Sequence, residues 1–178
     1  MKNLRRIKYF AAMSLDAFIA GPDGEVDWLF MDQDYGLNDF FAGIDTVLIG
    51  RKTYEFMLSQ GLRAYKGVKN FVFSGSLNPE DFPEVSMIGD GAAEFVEGLL
   101  HKPGKDLWLI GGGELFRLLL SHDLVDEIIL AVHPVLLGRG IPMLAEMPRS
   151  VNLKLTDVRT FDTGLVLLSH TVTGKARE

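Results

Sequence analysis

The chain has 178 residues, 47% hydrophobic and 24% charged, with a formal net charge of -6. These values are typical of a soluble globular protein of about one domain, and the acidic charge argues against nucleic acid or an anionic membrane as a partner. Cysteine is absent, which excludes disulfides, thiolate catalysis and cysteine-bound zinc. Asp16 interrupts the N-terminal apolar stretch too early for a secretory signal. No uninterrupted apolar run approaches the ~20 residues that a membrane-spanning helix needs. We therefore expect a single cytoplasmic domain over 1–178.

Strand and helix signals alternate along the first half of the chain. A buried strand is predicted at 7–13, followed by a long polar, glycine-bearing segment at 14–34. A short helix at 38–43 precedes a strand at 45–50. That strand runs directly into a helix, in which Tyr54, Met57 and Leu58 form an apolar stripe.

The second half continues the alternation and ends in a hairpin. Helices are predicted at 92–100 and 114–120, and strands at 69–74, 84–88, 106–110, 126–132, 152–160 and 164–172. No helix separates the last two strands, so they predict an antiparallel hairpin. The pattern indicates a three-layer α/β fold with a mainly parallel central sheet and helices on both faces.

Glycines mark three strand ends, Gly50, Gly75 and 111–113, where an open parallel sheet binds its ligands. After Gly50 a helix starts with two cations and a hydroxyl, Arg51, Lys52 and Thr53, which suits an anion. After 111–113 a second helix starts in the same setting. For the first site the plain alternative is a helix start with solvated basic side chains. For the second it is a tight strand-to-helix turn that needs small residues. Two such sites in a small domain predict a dinucleotide with a pyrophosphate.

Other phosphate and catalytic patterns are missing. Phe116 stands where the Rossmann fingerprint needs its last glycine, and the Walker pattern does not occur. No two of the four histidines have metal-ligand spacing, so no metal site is predicted. Carboxylates crowd the segment at 14–34, and one of them could donate a proton if it were desolvated in a cleft.

Four motifs together resemble the dihydrofolate reductase-like superfamily. They are the residues at 11–16 (AAMSLD), 49–55 (IGRKTYE), 110–115 (IGGGEL) and 134–142 (PVLLGRGIP). The first and last are most similar to the branch that contains the reductase domain of riboflavin biosynthesis. The resemblance covers nearly the whole chain and implies an NADPH-dependent reductase.

The resemblance assigns cofactor residues by position. It implies that Ala12 and Ile19 lie near the nicotinamide, and that Ser74 and Gly75 lie beside the adenosine. It also implies a mobile loop at 14–28 and a cis peptide between Gly111 and Gly112. The pyrophosphate and the 2′-phosphate would be held by Arg51, Lys52 and Thr53, and the pyrophosphate would be received on its other side by Gly112, Gly113, Glu114 and Leu115. The remaining cofactor-binding positions are Gly50, Ile110 and Gly111.

The substrate side departs from the family's patterns. The resemblance implies hydride transfer to a pterin- or pyrimidine-like heterocycle, with Asp34 or Asp32 as the acid. The folate-clamping arginine position holds Val68, so Arg63 or Lys66 would have to replace it, and Phe10 stands where riboflavin reductases usually have lysine. The alternative is a nucleotide-binding or sensor protein without efficient turnover. A homodimer through the C-terminal hairpin and the apolar run at 131–137 is also expected.

Overall fold

The computed structural model describes residues 4–144 and 146–175. Those residues form a large sheet, a small two-stranded sheet and helices between the strands. In chain order the elements are β1 Ile7–Ser14, β2 Phe18–Ala20, α1 Leu37–Ala42, β3 Ile44–Gly50, α2 Arg51–Ser59, β4 Lys69–Phe73, β5 Ser86–Ile88, α3 Ala92–Leu100, β6 Asp106–Gly111, α4 Gly113–Ser121, β7 Glu127–His133, β8 Ile141–Pro142, β9 Asn152–Thr160 and β10 Val166–Thr173.

The large sheet has eight strands in the order β5-β4-β3-β6-β1-β7-β10-β9. The first six of these run parallel to one another, whereas β10 is antiparallel to both β7 and β9. The predicted parallel sheet with an antiparallel C-terminal hairpin is therefore confirmed. Parallel neighbours require long crossover connections, and the intervening helices provide them.

Helices cover both faces, which confirms the three-layer architecture. One face packs against α3 and α4, where the ring of Phe116 stacks on Tyr9 with centroids 3.8 Å apart. The other face packs against α1 and α2 and buries Tyr54 and Met57 of the predicted stripe. Burial of these apolar surfaces stabilises the fold by roughly 25 cal/mol per Å² removed from water.

Some element boundaries differ from the sequence prediction. The strand predicted at 84–88 is shorter, because the backbone N–H of Val85 donates to the carbonyl of Phe82 in a turn and pairing starts only at Ser86. The small sheet of β2 and β8 was not predicted. Strands of two and three residues are too short to show an alternating pattern.

The two central strands β1 and β6 separate toward their carboxyl ends. Their pairing covers only Ile7–Tyr9 with Leu107–Leu109, whereas β1 stays paired with β7 as far as Ser14 and His133. A crevice therefore opens beside the second half of β1. In open α/β sheets such a crevice at the carboxyl edge is the usual place for a ligand.

Candidate active site

Three helices begin at the carboxyl edge of the sheet without a side-chain cap. Their N-cap residues are Gly50 for α2, Gly91 for α3 and Gly112 for α4, and none has a side-chain capping hydrogen bond. The first N–H groups of a helix have no intrahelical acceptor and carry the positive end of its dipole. Together the three helix starts create a region that favours negative charge.

A cavity of about 510 Å³ lies among these helix starts. It extends along the ends of β3, β4, β5 and β6, and β8 closes one side. The lining residues are Gly50, Arg51, Lys52, Phe73, Ser74, Gly75, Gly89, Ala92, Gly112, Gly113, Glu114, Leu115, Arg117, Leu118, Ile141 and Pro142.

Most of the residues predicted to bind the cofactor line this one cavity. They come from three separate parts of the chain, and the fold brings them together. The predicted residues in the lining are Gly50, Arg51, Lys52, Ser74, Gly75, Gly112, Gly113, Glu114 and Leu115.

The other five predicted residues lie outside the cavity lining. Thr53 lies next to the glycine turn, since a Cβ built on Gly111 would be 3.4 Å from its hydroxyl oxygen. Ala12 and Ile110 are half-buried on the separating strands β1 and β6. Ile19 belongs to β2. The fold thus gathers the other nine predicted residues around one cavity, and Ala12 and Ile110 lie on the two strands that border the crevice.

Close backbone packing explains the glycine at the end of β3. A Cβ on Gly50 would lie 3.1 Å from both the carbonyl oxygen of Gly111 and the nitrogen of Gly112. The expected cis peptide between Gly111 and Gly112 is wrong, because every peptide bond in the described residues is trans. The chain turns instead through the positive φ of Gly111, +151°, which a residue with a side chain rarely adopts.

Three cations line the cavity, and their surroundings differ. Arg51 donates to both carboxylate oxygens of Glu55, at 2.8 and 3.0 Å. Lys52 lies 3.5 Å from a carboxylate oxygen of Glu114, so that pair links the starts of α2 and α4. The third cation, Arg117, was missed by sequence reasoning. Its position four residues after Gly113, on the same face of α4, was the available signal.

Asp16 ties the start of the loop at 14–34 to the segment before β8. Its carboxylate accepts a hydrogen bond from the hydroxyl of Ser14 at 2.6 Å and from the backbone N–H groups of Leu137 and Gly138, at 3.1 and 2.7 Å. The bond from Ser14 and those backbone bonds lower the pKa of Asp16. Two motifs of the resemblance, far apart in sequence, are thereby held together.

His133 anchors the later part of the same loop. Its Nε2 accepts a hydrogen bond from the backbone N–H of Phe30 at 3.2 Å, and Nδ1 lies 3.1 Å from the carbonyl oxygen of Ala131. This pairing assigns the neutral ring with its proton on Nδ1. The rings of Trp28 and Phe30 pack against the imidazole, with centroids 5.2 and 5.0 Å away. Burial lowers the pKa of His133, which keeps Nε2 free to accept.

We expect the stability of the protein to depend on pH through His133. Because its pKa is lower in the folded state, the unfolded chain binds a proton first, and the free energy of unfolding falls as pH drops below about 6.5. The slope from this group is at most about 1.4 kcal/mol per pH unit. Chemical denaturation of His133→Gln between about pH 7.5 and 5 should give a flatter profile.

The matched control for this prediction is His101→Gln, at an exposed histidine after α3. It should retain the wild-type dependence on pH. A profile for His133→Gln as steep as that of the wild type would contradict the prediction.

The two predicted acids lie on the surface at the start of α1. Asp34 accepts hydrogen bonds from the backbone N–H groups of Gly36 and Asn38, at 3.1 and 3.0 Å, and so caps this short helix. Asp32 accepts from the hydroxyl of Tyr35 at 2.6 Å. Both carboxylates are exposed, so neither lies desolvated in a cleft, which was the condition under which a proton donor was expected.

The positions expected to bind substrate carry mainly apolar groups. Phe10 is buried and packs edge-on against Phe40, with centroids 4.9 Å apart. Val68 is half-buried and packs against the apolar cluster that contains Phe10 and Trp108. Arg63 pairs with Glu84 at 2.6 Å and donates to the carbonyl oxygen of Asp81. That guanidinium already has its partners, which leaves it poorly suited to clamp a substrate carboxylate.

Metal sites and membrane spans are both absent from residues 4–144 and 146–175. No group of three or more histidine, aspartate or glutamate side chains there could hold a metal ion. No helix in that part of the chain has the length and apolar character to cross a membrane.

Similarity to known proteins agrees with this geometry. A mainly parallel eight-stranded sheet with an antiparallel C-terminal hairpin is the dihydrofolate reductase-like fold that was expected. The chain belongs to the RibD C-terminal domain family, whose model matches residues 5–167. An uncharacterised protein of Bacillus subtilis strain 168, YyaP, is 38% identical over 178 residues, covering 93% of this chain and 94% of that protein.

Two solved structures share the fold at low identity. The first is a diaminohydroxyphosphoribosylaminopyrimidine deaminase/5-amino-6-(5-phosphoribosylamino)uracil reductase of Thermotoga maritima, with TM-score 0.74 and 17% identity over 96% of this chain and 57% of that one. The second is a dihydrofolate reductase of Enterococcus faecalis complexed with NADP(H), with TM-score 0.71 and 18% identity over 95% and 97% of the chains. These likenesses support a reductase-type fold.

Proposed function

We propose that the protein is a cytoplasmic NADPH-dependent reductase of a pterin- or pyrimidine-like heterocycle. The single observation that carries the proposal is the cavity in which three uncapped glycine helix starts and three cations meet. Its residues fit a dinucleotide: backbone N–H groups and cations suit the phosphates, and small residues allow close approach. When bound, NADPH supplies a hydride from C4 of its nicotinamide.

The chain's own groups would bind and orient the reactants. The N–H groups after Gly50 and Gly112 would hold the pyrophosphate, and Ser74 and Gly75 would contact the adenosine. Ala12 and Ile110 would border the nicotinamide in the crevice between β1 and β6. The loop anchored by Asp16 and His133 would exclude water from this crevice, which strengthens the electrostatic interactions inside it.

The substrate would lie on the face covered by α1. Half-buried apolar residues of that face, Ala12, Phe30, Leu37 and Ile110, belong to one cluster and suit a flat heterocycle. The accepting C=N or C=O bond takes one hydride and one proton. Asp32 or Asp34 would supply that proton only where bound substrate or loop closure desolvates the carboxylate, since both are exposed in this structure; otherwise solvent would supply the proton.

Rapid-mixing measurement of NADPH oxidation tests the proposal. The substrates are dihydrofolate and 5-amino-6-(5-phosphoribosylamino)uracil, with equilibrium binding of NADPH measured in parallel. Oxidation with either substrate supports the reductase. Tight NADPH binding without oxidation of either would contradict both named activities and favour the nucleotide-binding or sensor alternative.

We also propose that two copies associate through the C-terminal hairpin, by one face of β9 and β10. The start of the apolar run at 131–137 is not available for this contact, because Ala131 and Val132 are buried in β7 between β1 and β10. Leu153, Leu155 and Val158 of β9 are exposed by 42, 52 and 48%, and a register shift in the pairing with β10 keeps all three on one face. An apolar hollow of about 540 Å³, which Leu153 helps to line, adjoins them. Exposed apolar side chains that are contiguous on one face mark an interaction surface.

Replacing both Leu153 and Leu155 by lysine should give a monomer with its helix content unchanged. Two like charges placed in an apolar interface would cost several kcal/mol per dimer. Sedimentation equilibrium measures the mass, and Lys154→Gln, on the opposite face of β9, is the control. A monomeric wild-type protein at micromolar concentration would contradict the proposal.

A further inference from the structure

His170 lies on the apolar face of β9 and β10, among the residues of the proposed dimer contact. Its position in β10 pairs with Ile128 of β7 on one side and with Leu155 of β9 on the other. Side chains directly opposite one another in an antiparallel pair lie about 5 Å apart, so the imidazole stands beside both. Leu155 is 52% exposed, and a partner that covers it also covers His170.

The two nitrogens of the His170 ring have different surroundings. Nδ1 is buried and has no hydrogen-bond partner in the part of the chain that the structure describes. The residue as a whole is half-buried, and the Nε2 edge of the ring is open to solvent. A neutral imidazole needs a proton on only one nitrogen, and Nε2 can carry it. The charged ring has a proton on both nitrogens and needs two acceptors.

The strands around His170 offer no counter-charge. Within residues 4–144 and 146–175, the strand positions that share its face of the sheet are apolar or carry a hydroxyl group. On β7, β9 and β10 they are Ile128, Leu130, Val132, Leu153, Leu155, Val158, Thr160, Val166, Leu168 and Val172.

The charged groups on the other elements of this side are engaged elsewhere. Asp126, just before β7, pairs with Lys175, and Asp123, after α4, pairs with Arg149. Glu146 is exposed and does not line the apolar hollow. Helix α4 presents Phe116 and Leu120 to the hollow, whereas its charged residues Glu114 and Arg117 line the other cavity. A proton on His170 would therefore be an uncompensated charge.

This face suits a second copy of the chain as its partner. A two-fold interface uses the same patch on both subunits, so that patch needs both a protrusion and a recess. Here the exposed Leu153 and Leu155 protrude beside the apolar hollow of about 540 Å³. The described strand positions of the face hold no carboxylate, so two chains of net charge -6 can meet there without local repulsion.

We propose that His170 makes the association of two copies depend on pH, with neutral imidazoles in the dimer and protonated ones in the separated chains. The inference rests on the proposed dimer and adds its regulation. In a separated chain, water can accept a hydrogen bond from protonated Nε2. In the dimer the partner excludes that water, and Nδ1 already lacks an acceptor.

Protonation and association therefore oppose each other, because burying an unpaired charge is costly. The dimer binds fewer protons than two separated chains, so a lower pH favours the separated chains. Imidazole is the side chain that ordinarily changes its charge between about pH 5 and 8. The overall charge of the protein would act in the opposite direction, since a lower pH reduces the negative charge of each copy and with it their repulsion.

Sedimentation equilibrium of the full chain at about pH 7.5, 6.5 and 5.5, at constant ionic strength, tests the proposal. The dimer dissociation constant of the wild type should rise at least about tenfold from pH 7.5 to 5.5, because each separated pair of chains takes up two protons. In His170→Gln and His170→Leu, whose side chains take up no proton, the constant should change less than about twofold. His170→Leu should also dimerise more tightly than the wild type at pH 5.5.

His122→Gln and His133→Gln are the matched controls. His122 is exposed at the end of α4, and His133 is buried beneath the loop at 14–34. Both variants should keep the wild-type dependence of dimerisation on pH. Circular dichroism at each pH confirms that the chains are folded, which separates dissociation from the unfolding that protonation of His133 promotes.

The outcomes distinguish this inference from the proposals on which it depends. A wild-type dimer with the same dissociation constant at all three pH values would overturn the role of His170 and leave the dimer intact. An equal dependence on pH in the wild type and both His170 variants would also overturn that role. A monomeric wild type at micromolar concentration and pH 7.5 would overturn the dimer and this inference together, while NADPH oxidation decides the reductase proposal independently.

Discussion

Replacing Gly140 by alanine is expected to separate β2 from β8 and to detach the start of the loop from the cavity. A Cβ at this position would overlap the carbonyl oxygen of Ala20 and lie 3.3 Å from the Cβ of Phe18. Neither atom can yield cheaply, because one is backbone and the other is the first atom of a side chain in a paired strand. The backbone must shift, at a cost of about 2–3 kcal/mol.

The effect of Gly140→Ala should be visible in hydrogen exchange and in turnover. The N–H of Met143, which donates to the carbonyl of Ala17, and the N–H of Leu15, which donates to Val135, should lose protection. The melting temperature should fall by about 4–10 °C. Turnover should fall more than NADPH affinity, since β2 and β8 shift while the helix starts at Gly50 and Gly112 stay in place. Unchanged exchange at these two amides would contradict the prediction.

Replacing Gly50 by alanine should remove most of the dinucleotide affinity while the protein stays folded. The added Cβ would lie 3.1 Å from two backbone atoms of the turn between β6 and α4, so that the turn has to move by a few tenths of an ångström. The N–H groups on both sides of the site would then lose their alignment with the same anion. We expect the dissociation constant of NADPH to rise at least about tenfold, because a loss of ~1.4 kcal/mol is enough.

Gly98→Ala is the matched control for both glycine variants. Gly98 lies inside α3, is exposed, and a Cβ there would meet no atom within 4 Å. Alanine at an exposed helix position stabilises by about 0.5–1 kcal/mol relative to glycine. It should raise the melting temperature slightly and leave NADPH affinity unchanged. If Gly98→Ala and Gly50→Ala weakened NADPH equally, the close packing at Gly50 would not be the cause.

The sequence was most informative where periodicity and glycine coincide. The strand before Gly50 and the helix after it were predicted within a residue or two, because a buried apolar run ends at a residue without a side chain. The same signal located the turn at Gly112. Local patterns of this kind predicted the longer strands and helices.

Contacts between distant segments could not be predicted in this way. The pairing of β2 with β8, the bonds from Leu137 and Gly138 to Asp16, and the cavity position of Arg117 depend on how the crossovers fold. The trans peptide after Gly111 was also not predictable from the local sequence. The positive φ of Gly111 makes the turn there. The resemblance assigned cofactor positions because it carries information about the fold that periodicity does not contain.

The environments of the two tryptophans give the protein an internal optical probe. Trp108 is buried in the core and donates its indole N–H to the carbonyl of Phe10, so its emission should be insensitive to ligands. Trp28 lies in the loop against His133, and its buried indole N–H has no partner in the described residues. In a Trp108→Phe background, the fluorescence of Trp28 alone would follow both protonation of His133 and movement of the loop.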